Sequence, residues 1–204
     1  MRAGLALAAV PLALVARDAQ AQVHADIDAE AGIAAHFLSS RPVEGHNPDA
    51  GPTFVILGHV AVLPLVRAGL YVAQDLSPLA GADLREFTSG GLSMRLFTPW
   101  PQSVLRLWLG VGIGYAGGYA PSYSAATPGG ASVAVPGAWG GHFEVPVGLG
   151  ASLHVARRLD LLASVGSRVG VGFSGALYAA SGSAKAPGDD VFTFFSVLGA
   201  AFEL

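Results

Sequence analysis

From residue 24 onward the chain repeatedly sets apolar side chains at every second position, with Gly, Ser or a charge between them. Residues 104–115 show the pattern. Leu105, Leu107, Leu109, Val111, Ile113 and Tyr115 share one face, and Arg106, Trp108, Gly110, Gly112 and Gly114 share the other. A period of two belongs to a β-strand. A long strand with one apolar face and one small or polar face suits a sheet closed around a polar interior and bathed in lipid. Composition points the same way: the chain is 52% apolar and only 12% charged, against roughly 25% charged in an ordinary soluble domain. Its 28 glycines and 13 prolines are scattered through the apolar stretches, which argues against helical spans. A net charge of −3 without any basic run gives no sign of nucleic acid as a partner. With no cysteine, neither disulfides nor thiolate chemistry are available.

Residues 1–21 read as a secretory leader: Arg2, an apolar run from Ala3 to Ala16, then Ala19-Gln20-Ala21 as a small-residue cleavage site. The run is short for a spanning helix, which needs about 20 residues. Cleavage is expected after Ala21, leaving residues 22–204 as one barrel domain.

Eight strands are expected, over 24–38, 53–63, 66–76, 87–97, 103–118, 140–156, 160–173 and 191–204. The connections alternate. Residues 39–52, 77–86, 119–139 and 174–190 form long loops, whereas the turns near Pro64, Trp100 and Arg157-Arg158 are tight. An even strand number, with long loops at one end and short turns at the other, describes an antiparallel up-and-down transmembrane barrel with its short turns in the periplasm. Faces follow from the period. In the first strand Ile27, Ala29, Ala31, Ile33 and Phe37 point out, and His24, Asp26, Asp28, Glu30 and His36 point in. A one-residue slip would carry the acids into lipid, so register is well specified. Aromatics cluster near strand ends as two interfacial girdles: Phe37, Phe54, Phe87, Tyr119, Trp139, Phe143, Phe173, Tyr178 and Phe192 toward the long loops, and Phe97, Trp100 and Phe202 toward the short turns.

The leader, the eight strands and an apolar terminal strand ending Ala-Ala-Phe-Glu-Leu resemble the OmpA/OmpX-type small outer-membrane barrels. The resemblance spans the whole mature chain and rests on pattern. It implies an outer-membrane protein of a Gram-negative envelope, in contact with outer-membrane lipid and lipopolysaccharide, assembled by the barrel-assembly machinery and monomeric. Family members usually end in an aromatic residue, most often Phe; here Leu204 holds that place and Phe202 lies two before it.

The inner face carries the candidate sites. Arg67, Arg95 and Arg106 lie near the short-turn ends of three successive strands, and Arg95 and Arg106 are expected to face each other about the turn at Trp100. Asp26, Asp28 and Glu203 lie at the same depth on the opposite wall and are the expected counter-charges, since buried charge is tolerated only when paired. Glu144 and Arg168 form a second expected lumen pair, nearer the long loops. Eight strands leave an interior just wide enough for side chains, so these charges read as a plug rather than a pore. Gly on the inner face makes room for bulky neighbours such as Trp108 and Arg168.

Two sharper chemistries are weighed. His24, Asp26 and Asp28 share an inner face, as do His142 and Glu144, and all are ligand types for a metal. No spacing matches a zinc signature, so no metal and no cofactor is expected. Ser152 and His154 also share an inner face and invite a serine–histidine dyad. They sit near a periplasmic turn, the wrong depth for a lipid A deacylase-like site, and no catalytic residue is assigned. The leading expectation is a non-enzymatic barrel with a structural or surface-interaction role carried by its long loops. The alternatives are an enzyme acting on lipid, a narrow ion or solute pore, and a soluble periplasmic carrier with inverted faces. The last is disfavoured, because so few charges would not solubilise an outer surface.

Overall fold

A computed structural model describes residues 24–38, 49–78, 84–99, 104–126, 130–178 and 191–204. The leader with its cleavage site, Trp100, and residues 39–48, 79–83 and 179–190 of the expected loops lie outside the described residues. The alternating segments form β1 (Ala25–Leu38), β2 (Asp49–Leu63), β3 (Val66–Pro78), β4 (Leu84–Phe97), β5 (Leu105–Ala120), β8 (Ala138–Ala156), β9 (Leu159–Gly175) and β10 (Val191–Glu203). All neighbours are antiparallel, and β1 pairs with β10 to close an eight-stranded barrel. Between β5 and β8 lies a separate hairpin, β6 (Tyr123–Ala126) with β7 (Ser132–Val135). The eight expected strands are all present.

Several run further than the apolar pattern marks. β3 and β4 stay paired to Pro78 opposite Leu84, so much of the expected 77–86 loop is strand. The extension has a physical cause: Asp75 and Ser77 continue the inner face beyond the depth at which an apolar outer face is needed. Tight connections at Pro64–Leu65 and Arg157–Arg158 lie at the same end as Asp26 opposite Glu203, which places the start of β1 and the end of β10 together there. Register shifts at Ala61/Leu63 and His154/Ala156 fall at this rim, and another at Gly141/Phe143 falls toward the opposite one. Bulges of this kind bend strands as a barrel closes.

The faces are inside-out relative to a soluble domain. Ile33, Ile56, Leu70, Leu92, Leu149 and Leu198 are 60–69% exposed on the outer wall. Asp26, Asp28, Glu30, His59, Asp75, Arg95, Glu144 and Arg168 are buried inside. This orientation removes the soluble-carrier alternative, because the exposed belt needs hydrocarbon around it. At the long-loop end, Phe37 meets Phe194 edge-on at 5.8 Å, Tyr115 meets Phe143 at 5.4 Å and Tyr119 lies 4.8 Å from Trp139. The girdle assignment needs correction at three positions, the first being Phe173, which packs inward against buried Phe87 and His142. Phe87 and Phe97 are buried in the lumen rather than turned to lipid; each serves as a platform for guanidinium groups. At the short-turn end, Phe202 remains on the outer wall, 49% exposed.

Glycine sets the caliber. Trp108 is buried inside the barrel, and a Cβ on Gly150, on the adjacent strand, would overlap its ring. Gly58, on the outer wall, has nothing within 4 Å of an added Cβ. Gly150→Val should therefore lower unfolding stability in detergent by about 1–3 kcal/mol, the usual cost of overpacking. Gly58→Ala should leave it nearly unchanged. Urea titrations of both variants check this, and equal effects would mean that Trp108 is not tightly enclosed.

Candidate functional site

The lumen holds every functional candidate, arranged in layers along the barrel axis. At the short-turn mouth, Arg67 pairs with Asp26, and Arg106 donates to Asp160 at 2.7 Å. Both guanidiniums lie over Phe97, at 5.1 and 5.4 Å from its ring centre. Asp160 also contacts His154 Nδ1 at 2.8 Å, and Glu203 contacts His24 Nδ1 at 2.6 Å. One layer up, Arg95 bridges Asp28 and Glu30, the latter at 2.8 Å, and stacks 4.2 Å from the Trp108 ring. Ser164 donates to the other oxygen of Glu30 at 3.3 Å.

Nearer the long loops, Arg168 donates to Asp75 at 2.5 Å while lying 5.2 Å over Phe195. Thr53 donates to the second Asp75 oxygen at 2.5 Å. Tyr71 donates its hydroxyl to Glu144 at 2.5 Å. His36 and His142 close this end, with His36 stacked 5.5 Å from Phe87 and His142 5.0 Å from Phe173. One cavity of about 80 Å³ lies between the Arg95 and Arg168 layers, walled by Val55, Leu57, Tyr71, Trp108 and Phe195 among others. The recurring unit is a guanidinium held edge-on by carboxylates and face-on by an aromatic ring. Both contacts gain strength away from water.

The expected cluster is thus partly assembled as read. Asp26 pairs with Arg67 and Asp28 with Arg95, both within the expected cluster, for which the sequence gives no individual partners. Three assignments change. Arg106 takes Asp160 rather than Asp26, Asp28 or Glu203, and the ladder sets Arg95 opposite Gly110 instead of Arg106. Glu203 meets His24 at the mouth. Arg168 takes Asp75 and Glu144 takes Tyr71, so the expected Glu144–Arg168 pair does not form, although both line one small space with Asp75 and His36. Glu144 does lie diagonal to Arg168 across the two strands, one inner position nearer the loops than Pro146, the register partner of Arg168.

Ser152 and His154 are not joined. Ser152 Oγ is buried without a hydrogen-bond partner, while His154 turns to Asp160. His142 faces aromatic rings rather than Glu144. Among the described interior groups, Asp75, Asp160, His59, Glu30 and Arg85 have no role assigned by charge counting on the sequence. Parity alone would have found the first three: Asp75 is in step with Arg67, Asp160 with Arg168, and His59 with Thr53.

Compared with solved structures, the chain is similar to Neisserial surface protein A, at a TM-score of 0.61 and 14% identity, covering 88% of this chain and 97% of that one. It is also similar to Ail, the attachment invasion locus protein of Yersinia pestis, at a TM-score of 0.50 and 11% identity over 90% of this chain and all of that one. The fold is that of a small outer-membrane β-barrel. No family model and no curated protein sequence matches the chain.

Arg95 is buried and bridges two buried acids, whereas Arg106 and Asp160 are partly exposed at the mouth. Breaking a buried pair costs on the order of 3–5 kcal/mol, against about 0–1 kcal/mol for exposed ones. Arg95→Ala should therefore destabilise the detergent-folded barrel far more than Arg106→Ala. Arg95→Lys should recover only part of the loss, since an ammonium cannot fork to both acids. Denaturant midpoints of the three variants check the order; an Arg106 effect equal to that of Arg95 would contradict it.

Proposed function

We propose that the protein, exported by its leader, stands in the outer membrane of a Gram-negative cell as a monomeric, non-enzymatic barrel. Its interior is a structural plug, and its contact with the surroundings runs through the end bearing the β6–β7 hairpin. The observation that carries the reading is the stack of guanidinium, carboxylate and aromatic layers across the lumen. A pore needs a continuous wet path, and here Arg67, Arg95, Arg106 and Arg168 each lie between a carboxylate and a ring. Outer-membrane lipid and lipopolysaccharide fit the exposed apolar belt, and the barrel-assembly machinery is the expected route of insertion.

Residues 119–139 contain no charged side chain and no histidine. The Ail structure holds the heparin analogue sucrose octasulfate, but a polyanion needs cations that this hairpin lacks. Recognition there would rest on backbone and hydroxyl hydrogen bonds and on small apolar contacts. A lipid-directed enzyme gains no support from the separated Ser152 and His154.

Two measurements test the reading. Purified protein in planar bilayers should give no single-channel steps, and regular ion-selective steps would make the pore the better account. Single cysteines are clean probes in a chain that has none. Ser132→Cys should react with an impermeant maleimide on intact cells, and Arg158→Cys only after the outer membrane is permeabilised. The reverse pattern, or recovery of the protein in the soluble periplasm, would overturn the placement.

A further inference from the structure

Beneath the Arg95 layer, three buried side chains converge, and each carries a polar atom without a partner. Asp26, Asp28 and His59 are 4%, 0% and 2% exposed. Asp26 Oδ1, Asp28 Oδ1 and His59 Nδ1 each lack a hydrogen bond. One ligand atom from each residue can be chosen so that all lie within 4.8 Å of one another. His59 Nδ1 is 3.4 Å from Asp26 Oδ1 and 3.7 Å from Asp28 Oδ2. We propose that Asp26, Asp28 and His59 bind a first-row divalent transition-metal ion of the Zn²⁺ class.

The argument begins with the imidazole. His59 Nε2 lies 2.9 Å from Ser93 Oγ. If Nε2–H donates there, Nδ1 presents a lone pair to two carboxylates, an arrangement of acceptors that needs a cation at its centre. The opposite tautomer, or an imidazolium, would aim an Nδ1–H at oxygens 3.4 and 3.7 Å away. Charge-assisted N–H···O bonds are typically about 2.7–2.9 Å, so a proton alone leaves these groups poorly satisfied.

Metal–ligand bonds of about 2.0–2.1 Å in tetrahedral geometry set ligand atoms roughly 3.3–3.4 Å apart, which the Asp26–His59 spacing meets. One imidazole and two carboxylates suit Zn²⁺ and its first-row neighbours. Outer contacts also suit such a site: Ser93 orients the imidazole, Arg67 holds Asp26 Oδ2 and leaves Oδ1 facing His59, and Arg95 holds Asp28 Oδ2 while Asp28 Oδ1 stays without a hydrogen bond. Charge agrees as well. Among the described residues, the arginines paired with Asp26, Asp28 and Glu30 are Arg67 and Arg95, two cations for three acids. Asp26 is the second residue of β1, so an ion would enter from the short-turn mouth.

The test uses tag-free mature protein folded in detergent and stripped of metal. Zn²⁺ titration by calorimetry should show one equivalent bound, with a rise in the denaturant midpoint. Co²⁺ should give visible ligand-field bands that Zn²⁺ displaces. His59→Gln should weaken Zn²⁺ at least tenfold and abolish the bands, whereas a variant at the exposed His24 or His154 should do neither. Ser93→Ala, which removes only the outer contact, should weaken binding by about 10–100-fold. Should His59→Gln fail to fold, X-ray absorption on the wild-type Zn²⁺ complex decides, through one imidazole and carboxylate oxygens at about 2.0–2.1 Å. Absence of Zn²⁺ binding to the wild type, undiminished binding by His59→Gln, or a metal shell without imidazole would each overturn the proposal.

Discussion

Neutralising charge inside a closed eight-stranded wall is the constraint on which the rest of this structure depends. The interior is only wide enough for side chains, and an uncompensated ion there is costly. Arg67, Arg95, Arg106 and Arg168 must therefore each find an acid, and every one also finds a ring. The rings account for aromatic residues on a face otherwise given to small and polar ones. They in turn account for glycines such as Gly150, without which Trp108 would not fit. Charge, aromatic platform and glycine form one chain of necessity running from the lumen to the wall.

Much of this was legible before any coordinates. The period of two names the strands and their faces, and face and depth group Asp26 and Asp28 with Arg67 and Arg95 without saying which pairs with which. What remained hidden was azimuth. A sequence fixes how far along the axis a residue sits and whether it points inward, but a partner across the lumen depends on how each strand is staggered against the next. That stagger sends Arg168 to Asp75 instead of Glu144, and Arg106 to Asp160. It also brings His59 to Asp26 and Asp28, where spacing along the chain had suggested His24.

The aromatic assignments fail for a related reason. Nearness to a strand end places Phe87 and Phe97 at interfacial depth, yet their parity turns them inward to serve Arg85, Arg67 and Arg106. Parity was the stronger signal and depth the weaker. The β6–β7 hairpin was hidden differently: its apolar positions, such as Val133 and Val135, flank a turn-rich Thr-Pro-Gly-Gly run. Four-residue strands are too short for alternation to stand out against loop composition.

The pairings inside the lumen also bear on how such a chain can reach its final state. Ser164 meets Glu30 across 134 residues of sequence, Arg168 meets Thr53 across 115, and Arg95 meets Glu30 across 65. None of these is available within a single hairpin. An open or half-built sheet would leave Asp26, Asp28 and Glu30 without cations beside hydrocarbon that cannot solvate them. Partial intermediates are thereby penalised, and contacts so remote in sequence slow the search for the native pairing. Seating β10 against β1 completes the wall across which these distant partners meet.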